Sequence, residues 1–513
     1  MKMVFVKLFV VFMLFVARIS CYNILVVFPE PTKSHGILGA GYVRHLLGAG
    51  HNVTYVTPFP FDDISPLLSQ IDVSSNLNLS SGLFRELKTT YTSESSFLLM
   101  LGHSFARMSV EHTEVQRLLR DPGNKFDVVI AEWIDSEIYS GFSAVFGCPL
   151  IWSVSTHMHW QPIRLMDEYP NPAYSTDVNS PYTSPLDFAQ RMKELWVQIE
   201  KSWILFFTIN PLEIEVYDSQ FRQAAESKGA TVSPYEELHK SYSMMLANNH
   251  PAVGTVSRMP PNVRDIGGYH VLDPPKPLPE DLQILMDNAT DGAIYFSLGS
   301  GSNGEDMSSK VKNGLLKLFG KLKQTVIWKR KGSLNDVADN IVQLKWAPQT
   351  SLLAHPNMKV FITHGGQLSV IETIHFGVPA ITIPMQVDQF ANTDAIVKKG
   401  VAIRVDYNKD LPFNLEKALD KIFRNSSYRE SMQNLSKVYH DRIVPPGAEL
   451  VHWVEHVVRT KGAAHLRSPA LHVPWFQKLY LDLAVIIIAL IALFIVICKC
   501  IWYICKKMNL CYC

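Results

Sequence analysis

The sequence predicts an α/β protein made of two doubly wound units, followed by one C-terminal transmembrane helix. Three observations lead to this prediction. Continuous apolar segments of strand length alternate with segments of helical periodicity in both halves of the 513-residue chain. A proline-rich stretch separates the two halves. An uncharged apolar run of transmembrane length lies near the C-terminus.

Residues 1–20 predict a secretory signal peptide. Lys2 and Lys7 accompany a short apolar run, and small residues follow near Ala17 and Ser20. The run is too short for a membrane anchor, so we expect cleavage near Ser20.

Residues 21–270 are expected to form the first doubly wound, Rossmann-like domain. Strands are predicted at Asn23–Pro29, Asn52–Thr57, Phe126–Ala131 and Pro149–Ser155, with helices at Ile37–Leu47 and around Ser136–Phe146. Strands that are apolar on both faces indicate a parallel sheet covered on both sides. From about Pro162 to Lys240 the chain is helical, aromatic-rich and irregular. This part forms either the walls of an apolar pocket or ordinary helical packing.

Residues 271–281, with four prolines, predict an interdomain linker. Residues 282–440 are expected to form the second domain, and residues 441–475 to be helices that return toward the first. Strands of the second domain are predicted at Ala293–Leu298, Thr325–Lys329, Ile341–Leu344, Lys359–Thr363, Ala380–Pro384 and Ala402–Val405, with a helix at Ser309–Lys321 and further helices between the strands.

Residues 480–505 predict the transmembrane helix, and residues 506–513 a cytosolic tail. The chain carries no charge from Leu483 to Cys498, and Lys499 can extend its amine to the headgroups. Lys506 and Lys507 place the tail in the cytosol by the positive-inside rule. A buried core helix is the alternative, but the run is too long and too close to the chain end for it. We expect a single-pass type I protein of the endoplasmic reticulum with lumenal domains.

Composition agrees with a secretory route and argues against a nucleic-acid partner. The formal net charge is +1, without the basic excess that nucleic acid requires. Asn-x-Ser/Thr sequons predict N-glycosylation at Asn78, Asn288, Asn425 and Asn434, whereas Asn52 lies in a predicted strand. Only two of the seven cysteines, Cys21 and Cys148, are on the lumenal side, so we expect no disulfide framework.

Chemistry-bearing residues are concentrated between Trp346 and Asn392, at predicted strand ends where open α/β sheets bind ligands. Trp346 could stack on a base or pack in a core. His364 precedes Gly365 and Gly366 at a helix start, where free amides attract phosphate, although a structural histidine is also consistent with the pattern.

Further polar residues extend this pattern. The Glu372 carboxylate could accept from two ribose hydroxyls or be a surface group. Asp388 and Gln389 could bind sugar hydroxyls or cap a helix. Ser300 lies in a Gly/Ser loop after a strand, and such a loop can hold phosphate through its amides.

Together these residues form the pattern FITHGG-x-x-S-x-x-E, six residues, then PAITIPM-x-x-DQ, preceded by WAPQ. The pattern resembles the signature of the UDP-glycosyltransferases, which are inverting enzymes of glycosyltransferase family 1. The resemblance implies the GT-B fold, in which an acceptor-binding domain, residues 21–270, faces a UDP-sugar-binding domain, residues 282–440, across a cleft. It extends more weakly over nearly the whole chain. Leu368 stands where many relatives have Asn, and this difference indicates an invertebrate-like member of the membrane-bound animal branch.

The resemblance also implies roles for individual residues. Trp346 would stack on uracil, and Gln349 and Glu372 would bind ribose. Ser300, His364 and the amides of Gly365 and Gly366 would hold the diphosphate, with Ser369 nearby. Asp388 and Gln389 would hold the donor sugar, and Arg258 would meet the phosphate or the sugar.

A catalytic pair is expected from the first domain. His35, in PEPTKSHG, is predicted to lie in the loop after the first strand, where an imidazole could take a proton from an acceptor hydroxyl. Its resemblance to the base of the family supports this role. Glu132, at the end of FDVVIAE, matches the acid that orients the base, and Asp135 is the alternative.

The expected function is transfer of a hexose, most simply glucose, from a UDP-sugar to a small lipophilic acceptor, as in detoxifying conjugation. Glucuronic acid is the alternative sugar, and a non-catalytic lumenal nucleotide-sugar-binding protein is the alternative class. UDP-sugar is a co-substrate, and we expect no cofactor. No metal site is predicted either, because the chain has no Asp-x-Asp motif. The sequence specifies neither the acceptor nor the oligomeric state.

Overall fold

Two parallel β-sheets organise the protein. The computed structural model describes residues 21–507 except 63–64, 167–169, 183, 255–257 and 300–306. The predicted signal peptide and residues 508–513 of the predicted tail therefore lie outside the described residues. We use "first lobe" for the first sheet with the helices packed on it, and "second lobe" for the second sheet with its helices.

The first sheet has the strand order β3-β2-β1-β4-β5-β6-β7, with parallel pairing throughout. Its strands are β1 (Asn23–Val27), β2 (Asn52–Thr57), β3 (Leu68–Asp72), β4 (Val128–Trp133), β5 (Leu150–Val154), β6 (Met244–Ala247) and β7 (Val263–Asp265). The order reverses at β1, which pairs with β2 on one side and β4 on the other. This reversal is the topological switch point at which open α/β sheets bind ligands.

Helices cover both faces of the first sheet because its central strands are buried along their length. They are α1 (Lys33–Gly48), α2 (Asn76–Thr90), α3 (Glu94–Val110), α4 (Thr113–Arg120), α5 (Ser140–Phe146), α6 (Trp160–Leu165), α7 (Phe188–Ile204), α8 (Asn210–Val216), α9 (Gln223–Ser227) and α10 (Tyr235–Leu238). The π-helical turns Leu205–Ile209 and Tyr217–Arg222 join α7, α8 and α9 into one long irregular rod.

The second sheet has the order β10-β9-β8-β11-β12-β13, again with parallel pairs. Its strands are β8 (Ala293–Ser297), β9 (Thr325–Lys329), β10 (Ile341–Leu344), β11 (Met358–Thr363), β12 (Ala380–Thr382) and β13 (Ala402–Arg404). The helices from this part of the chain to its C-terminal end are α11 (Glu280–Asp287), α12 (Ser309–Gly320), α13 (Gln349–Ala354), α14 (Gln367–His375), α15 (Gln389–Lys398), α16 (Leu411–Arg424), α17 (Ser427–His440), α18 (Pro446–Arg459), α19 (Trp475–Lys478) and α20 (Leu481–Lys507).

Helix α18 returns to the first lobe. Its buried side chains Leu450, Val454 and Val457 belong to the same apolar cluster as Ile24 and Leu38. Tyr439, at the end of α17, donates a 3.1 Å hydrogen bond to the Gly267 carbonyl of the first lobe. These contacts fix the two lobes relative to each other, whereas the predicted domain boundaries stay predictions.

The structure confirms the two-sheet α/β architecture but corrects several details. Strands β3, β6 and β7 were not predicted: β3 is polar, and β6 and β7 are only four and three residues long. Glu132 lies inside β4 instead of after it. Helix α1 begins four residues before the predicted Ile37, directly after the extended Thr32, whose side chain makes no capping hydrogen bond.

Helix α20 is 27 residues long, has a mean hydropathy of 3.2 over its most apolar part, and contains no buried residue. Among the described residues it is the one helix that meets the length and composition of a membrane span. It coincides with the predicted transmembrane segment and extends it to Lys507.

Candidate active site

A cleft of about 380 Å³ lies between the carboxyl ends of the two sheets. Residues from both lobes line it. Those from the first lobe include His35, Trp133 and Ser155, and those from the second include Trp346 and Glu372. This is the position expected for a ligand site in doubly wound sheets.

His35 and Glu132 meet at the wall of the cleft that belongs to the first lobe. The Nδ1–H of His35 donates a 2.6 Å hydrogen bond to Oε1 of Glu132. The Glu132 side chain is 1% exposed, and that of His35 is 23% exposed. The buried carboxylate therefore fixes the tautomer that leaves Nε2 of His35 as the proton acceptor.

The predicted loop position of His35 is wrong, because His35 lies in the first turn of α1. The helix starts directly after Pro31 and Thr32, so its first turn reaches the end of β1. A side chain on a helix is held more rigidly than one in a loop, and this holds the imidazole at a fixed place in the cleft.

The charges around His35 oppose the effect of its burial. Burial by itself lowers the pKa of His35, but the charge and hydrogen bond of Glu132, with Glu30 and Asp388, raise that pKa to about 9. Burial raises the pKa of Glu30 to about 7, with His35 opposing and Glu132 reinforcing the rise. The charge of Glu30 and the charge of His35 therefore each shift the pKa of the other residue.

Ser155, which follows β5, fixes Glu132 from the other side. Its hydroxyl donates to the same Oε1 that His35 contacts. Oε2 of Glu132 is buried and has no hydrogen-bond partner among the described residues. Asp135, the alternative acid, is held elsewhere, because its Oδ1 accepts a 2.8 Å hydrogen bond from Gln161.

On the opposite wall, α13 and α14 bring three predicted residues together. The Gln349 amide donates to Oγ of Ser369 at 3.1 Å and to Oε2 of Glu372 at 2.7 Å. Glu372 is 5% exposed, and its Oε1 lies 3.5 Å from Nε2 of the buried His270. Glu372 is thus not a surface group but a buried carboxylate that accepts a hydrogen bond from Gln349 and lies beside His270 of the first lobe.

His364, Gly365 and Gly366 connect β11 to α14. Gly365 has φ +84, and a Cβ on Gly366 would lie 2.6 Å from Nε2 of His364. A Cβ on Gly299, two residues after the end of β8, would lie 2.7 Å from the same atom. Burial and the charge of Lys329 lower the pKa of His364 to about 4, so the imidazole is neutral at physiological pH.

Asp388 and Gln389 form the start of α15. Oδ2 of Asp388 accepts a 2.7 Å hydrogen bond from Asn392. Burial raises the pKa of Asp388, and the neighbouring His157 opposes that rise. Oε1 of Gln389 accepts from the backbone amides of Met385 and Gln386, at 2.8 and 3.1 Å, which fixes its side chain at the cleft.

Trp346 is 48% exposed at the cleft and is not a core residue. The ammonium groups of Lys33 and Lys329 lie 4.4 and 4.5 Å from the centre of its ring. Burial and the charge of Lys33 lower the pKa of Lys329 to about 8. Its ammonium also donates a 3.1 Å hydrogen bond to the Gly299 carbonyl, so a cation lies beside the carboxyl end of β8.

The remaining predicted residues lie elsewhere. Ser300 is outside the described residues. Arg258 is an exposed residue and is not among the described residues that line the cleft, so its donor contact stays a prediction. The predicted glycosylation sites Asn78, Asn288, Asn425 and Asn434 are all exposed.

Sequence reasoning missed four residues of this site: Glu30, Ser155, His270 and Lys329. Glu30, Ser155 and Lys329 lie at or just beyond the carboxyl ends of β1, β5 and β9. The rule that ligands bind beyond strand ends was the signal that could have identified these three. No comparable signal exists for His270, which reaches the site only because the lobes are packed together.

The rest of the cleft wall on the first lobe combines apolar and polar side chains. Its apolar residues are Ile37, Leu38, Trp133, Ile134 and Val178, and its polar residues are Thr32, Ser34, Thr156 and His159. Leu368 of the second lobe lines the cleft and packs against the apolar cluster of the first lobe. Apolar walls with a few convergent polar groups are typical of sites for small ligands.

Comparison with known proteins gives consistent matches. The sequence profile of the family described as "UDP-glucoronosyl and UDP-glucosyl transferase" matches residues 105–511. "UDP-glucosyltransferase 2" of Dactylopius coccus is 32% identical over 95% of this chain and 93% of its own length. Human "UDP-glucuronosyltransferase 2B10" is 30% identical over 77% of this chain and 73% of its own length.

Solved structures share the architecture. A UDP-glucosyltransferase from Polygonum tinctorium superposes with a TM-score of 0.55 at 13% identity, covering 86% of this chain and 99% of the other. At that identity the likeness establishes the fold alone, which is two facing α/β domains of a glycosyltransferase.

Proposed function

Because the chain belongs to the UDP-glycosyltransferase family and has the GT-B fold, we propose that it transfers glucose from UDP-glucose to a hydroxyl group of a small lipophilic acceptor. The observation that carries the proposal is that His35, hydrogen-bonded to the buried Glu132, faces a donor-type site across one cleft.

The second lobe supplies groups suited to each part of the donor. Trp346 offers an exposed ring for uracil, and the Gln349–Glu372 pair offers a fixed carboxylate for the ribose hydroxyls. The start of α14 presents backbone amides to the diphosphate, with the His364 ring beside them. Asp388 and Gln389, at the start of α15, suit the sugar hydroxyls.

Lys329 adds a positive charge to this donor site. Its ammonium lies beside Trp346 and Gly299, so it can pair with a phosphate oxygen. The UDP leaving group carries a growing negative charge as its bond to the sugar breaks. Fixed amides and one cation stabilise that charge without further reorganisation.

The first lobe supplies the base. Nε2 of His35 takes the proton of the acceptor hydroxyl while the acceptor oxygen bonds to the anomeric carbon of the sugar. The bond from that carbon to the β-phosphate oxygen breaks, and UDP leaves with the electron pair. Glu132 stabilises the imidazolium that results. A single displacement of this kind converts an α-linked donor into a β-glycoside.

Glucose is favoured as the donor sugar by two observations. The relative that covers 95% of the chain is named a glucosyltransferase. Asp388 is an acidic group, and a uronate next to it would be repelled when both are ionised. Glucuronic acid is the second candidate, supported by the human glucuronosyltransferase relative.

The apolar wall around Trp133 and Val178 supports a lipophilic acceptor, as in detoxifying conjugation. We place the catalytic domains in the lumen of the endoplasmic reticulum, with α20 crossing the membrane once and Lys506 and Lys507 at the cytosolic end. Exposure of the four sequons supports that orientation. Protease protection of the domains in sealed microsomes tests it, and digestion without detergent would contradict it.

The function itself is tested by offering microsomes that contain the protein a panel of UDP-sugars with phenolic and steroidal acceptors. We expect glycoside formation with UDP-glucose at least tenfold above that with UDP-glucuronic acid. A preference for UDP-glucuronic acid would show that the donor sugar is glucuronic acid and not glucose. UDP-sugar binding without transfer to any acceptor would support a non-catalytic binding protein instead.

A further inference from the structure

His270 is a buried histidine whose two ring nitrogens have no hydrogen-bond partner among the described residues. It follows β7 in the first lobe, and its side chain is 1% exposed. Buried imidazole nitrogens are usually paired, because taking them out of water without a partner costs free energy. The groups that surround His270 therefore decide what this side chain does.

The group that faces His270 is the carboxylate of Glu372 on α14. Nε2 of His270 lies 3.5 Å from Oε1 of Glu372, whereas Oε2 accepts the 2.7 Å hydrogen bond from Gln349. A separation of 3.5 Å is longer than an ordinary hydrogen bond. The carboxylate charge nevertheless attracts an imidazole N–H over this distance, because both groups are shielded from water. Each oxygen of Glu372 thus has a polar neighbour from a different lobe.

Glu372 separates His270 from the cleft. Glu372 lines the cleft, whereas His270 is not among the described residues that line it. A side chain behind a ligand-binding group can act on the ligand only by orienting that group. Any effect of His270 on a ligand therefore passes through Glu372.

The main chain at His270 is held by α1, the helix that carries the catalytic base. The carbonyl of Tyr269 accepts two 2.8 Å hydrogen bonds, one from Nη2 of Arg44 and one from Nε2 of His45. A Cβ on Gly41 of the same helix would lie 3.2 Å from Cα of His270. Helix α1 therefore packs directly against His270 and leaves its main chain little room to shift.

Helix α14 approaches the same segment from the second lobe. A Cβ on Gly268 would lie 3.7 Å from Cγ2 of Ile371 on α14. The side-chain amide of Gln367, at the start of α14, donates a 2.9 Å hydrogen bond to the Asn248 carbonyl of the first lobe. The segment just before the predicted linker is thus enclosed between α1 and α14, and its last side chain meets the donor-site carboxylate.

We propose that His270 is a positioning residue of the donor site, which holds Glu372 in the orientation in which its carboxylate accepts hydrogen bonds from the ribose. A carboxylate with a neighbour at each oxygen rotates less freely than one with a single neighbour, and each oxygen keeps a lone pair for a ribose hydroxyl. The first lobe thereby contributes to nucleotide affinity without touching the nucleotide. This role rests on the proposed function, in which Glu372 is the ribose-binding group.

The test is a double-mutant cycle on the affinity for UDP, measured by calorimetry with the full-length protein in nanodiscs. The cycle compares the wild type, His270→Ala, Glu372→Ala and the double variant. We expect His270→Ala to weaken UDP binding about fivefold when Glu372 is present and by less than about twofold in the Glu372→Ala background. The effect is lost in that background because no carboxylate is left to orient.

Two further variants separate positioning from a general loss of structure. His270→Gln places an amide near the position of Nε2 and should retain most of the affinity for UDP. His355→Ala is the matched control, because His355 pairs with Asp287 at 3.0 Å outside the cleft lining and should leave UDP binding unchanged. Thermal unfolding shows whether each variant is folded, and His270→Asn, whose amide is too short to reach Glu372, replaces an alanine variant that does not fold.

Equal losses of UDP affinity from the change at His270 in both backgrounds would overturn the proposal, because the effect would then be a general structural one. An unchanged affinity in His270→Ala would also overturn it and would leave the proposed function intact. A wild type that does not bind UDP would contradict both.

Discussion

The Nδ1 atom of His35 lies 2.6 Å from Oε1 of Glu132, which is 97 residues further along the chain. The two side chains come from α1 and β4, and β4 pairs directly with β1, the strand before α1. The switch point of the first sheet therefore creates the pair. It leaves Nε2 of His35 directed at the cleft, where an acceptor hydroxyl can be deprotonated.

Replacing Glu132 should change both the rate and the pH profile. With a pKa of about 9, His35 is the available base only as the pH rises toward that value, so activity should rise through neutral pH. Glu132→Gln removes the charge that raises this pKa. In a plot of kcat/KM against pH, we expect the acidic limb to shift to lower pH by at least about one pH unit. We also expect kcat to fall about 100-fold. Glu132→Asp should retain more activity than Glu132→Gln. An acidic limb that stays at the wild-type pH in Glu132→Gln would contradict the assignment.

Glu30→Gln should move the same limb by less. Above its pKa of about 7 Glu30 is ionised, and its charge raises the pKa of His35. Removing that charge lowers the pKa of His35 and shifts the limb to lower pH. Glu111→Gln, a change at an exposed ion pair with Arg107, is the control and should leave the profile unchanged. A larger shift for Glu30→Gln than for Glu132→Gln would be inconsistent with the contacts described.

Changes in the second lobe should separate nucleotide binding from sugar binding. Glu372→Gln removes the carboxylate expected to bind ribose, so UDP and UDP-glucose should both bind about tenfold or more weakly. Asp388→Asn should weaken the binding of UDP-glucose only, and the Kd of UDP should stay within about twofold of the wild-type value. Calorimetric titration with each ligand measures the difference. Equal losses for both ligands in both variants would show that the two subsites are not distinct.

Lys329 should make UDP binding pH-dependent. Because its pKa is lowered to about 8, its positive charge is lost as pH rises through that value. The affinity of the wild type for UDP should therefore fall between pH 7 and pH 9. Lys329→Met should bind UDP about tenfold more weakly at pH 7 and should lose most of this pH dependence. An unchanged affinity for UDP in Lys329→Met would place the diphosphate elsewhere.

The sequence predicted the second lobe better than the first. Strands β9 and β10 have the predicted bounds because each is a short apolar run bounded by polar or turn-forming residues. Gln349, Ser369 and Glu372 meet because they all lie within one continuous motif. In the first lobe, β6 and β7 were missed, since their few residues become strands only by pairing with β5.

The parts of the site that the sequence did not show depend on contacts between distant segments. The sequence analysis gave Glu30 and Lys329 no role. Their strand-end positions indicate a ligand site, but only the tertiary structure places them beside His35 and Trp346. The sequence also did not show that the apolar side of α7 faces outward. Its periodicity is that of any amphipathic helix, and only the buried ion pair of Lys201 with Asp177 reveals which side faces inward.

The central claim is that His35 deprotonates the acceptor while the second lobe presents UDP-glucose across the cleft. The most direct measurement compares wild type with His35→Ala for single-turnover transfer from UDP-glucose to a phenolic acceptor, with the product configuration read by NMR and UDP binding measured in parallel. We expect a β-glucoside from the wild type, a loss of at least about 100-fold in His35→Ala, and unchanged UDP affinity. Transfer by His35→Ala at the wild-type rate would contradict the account.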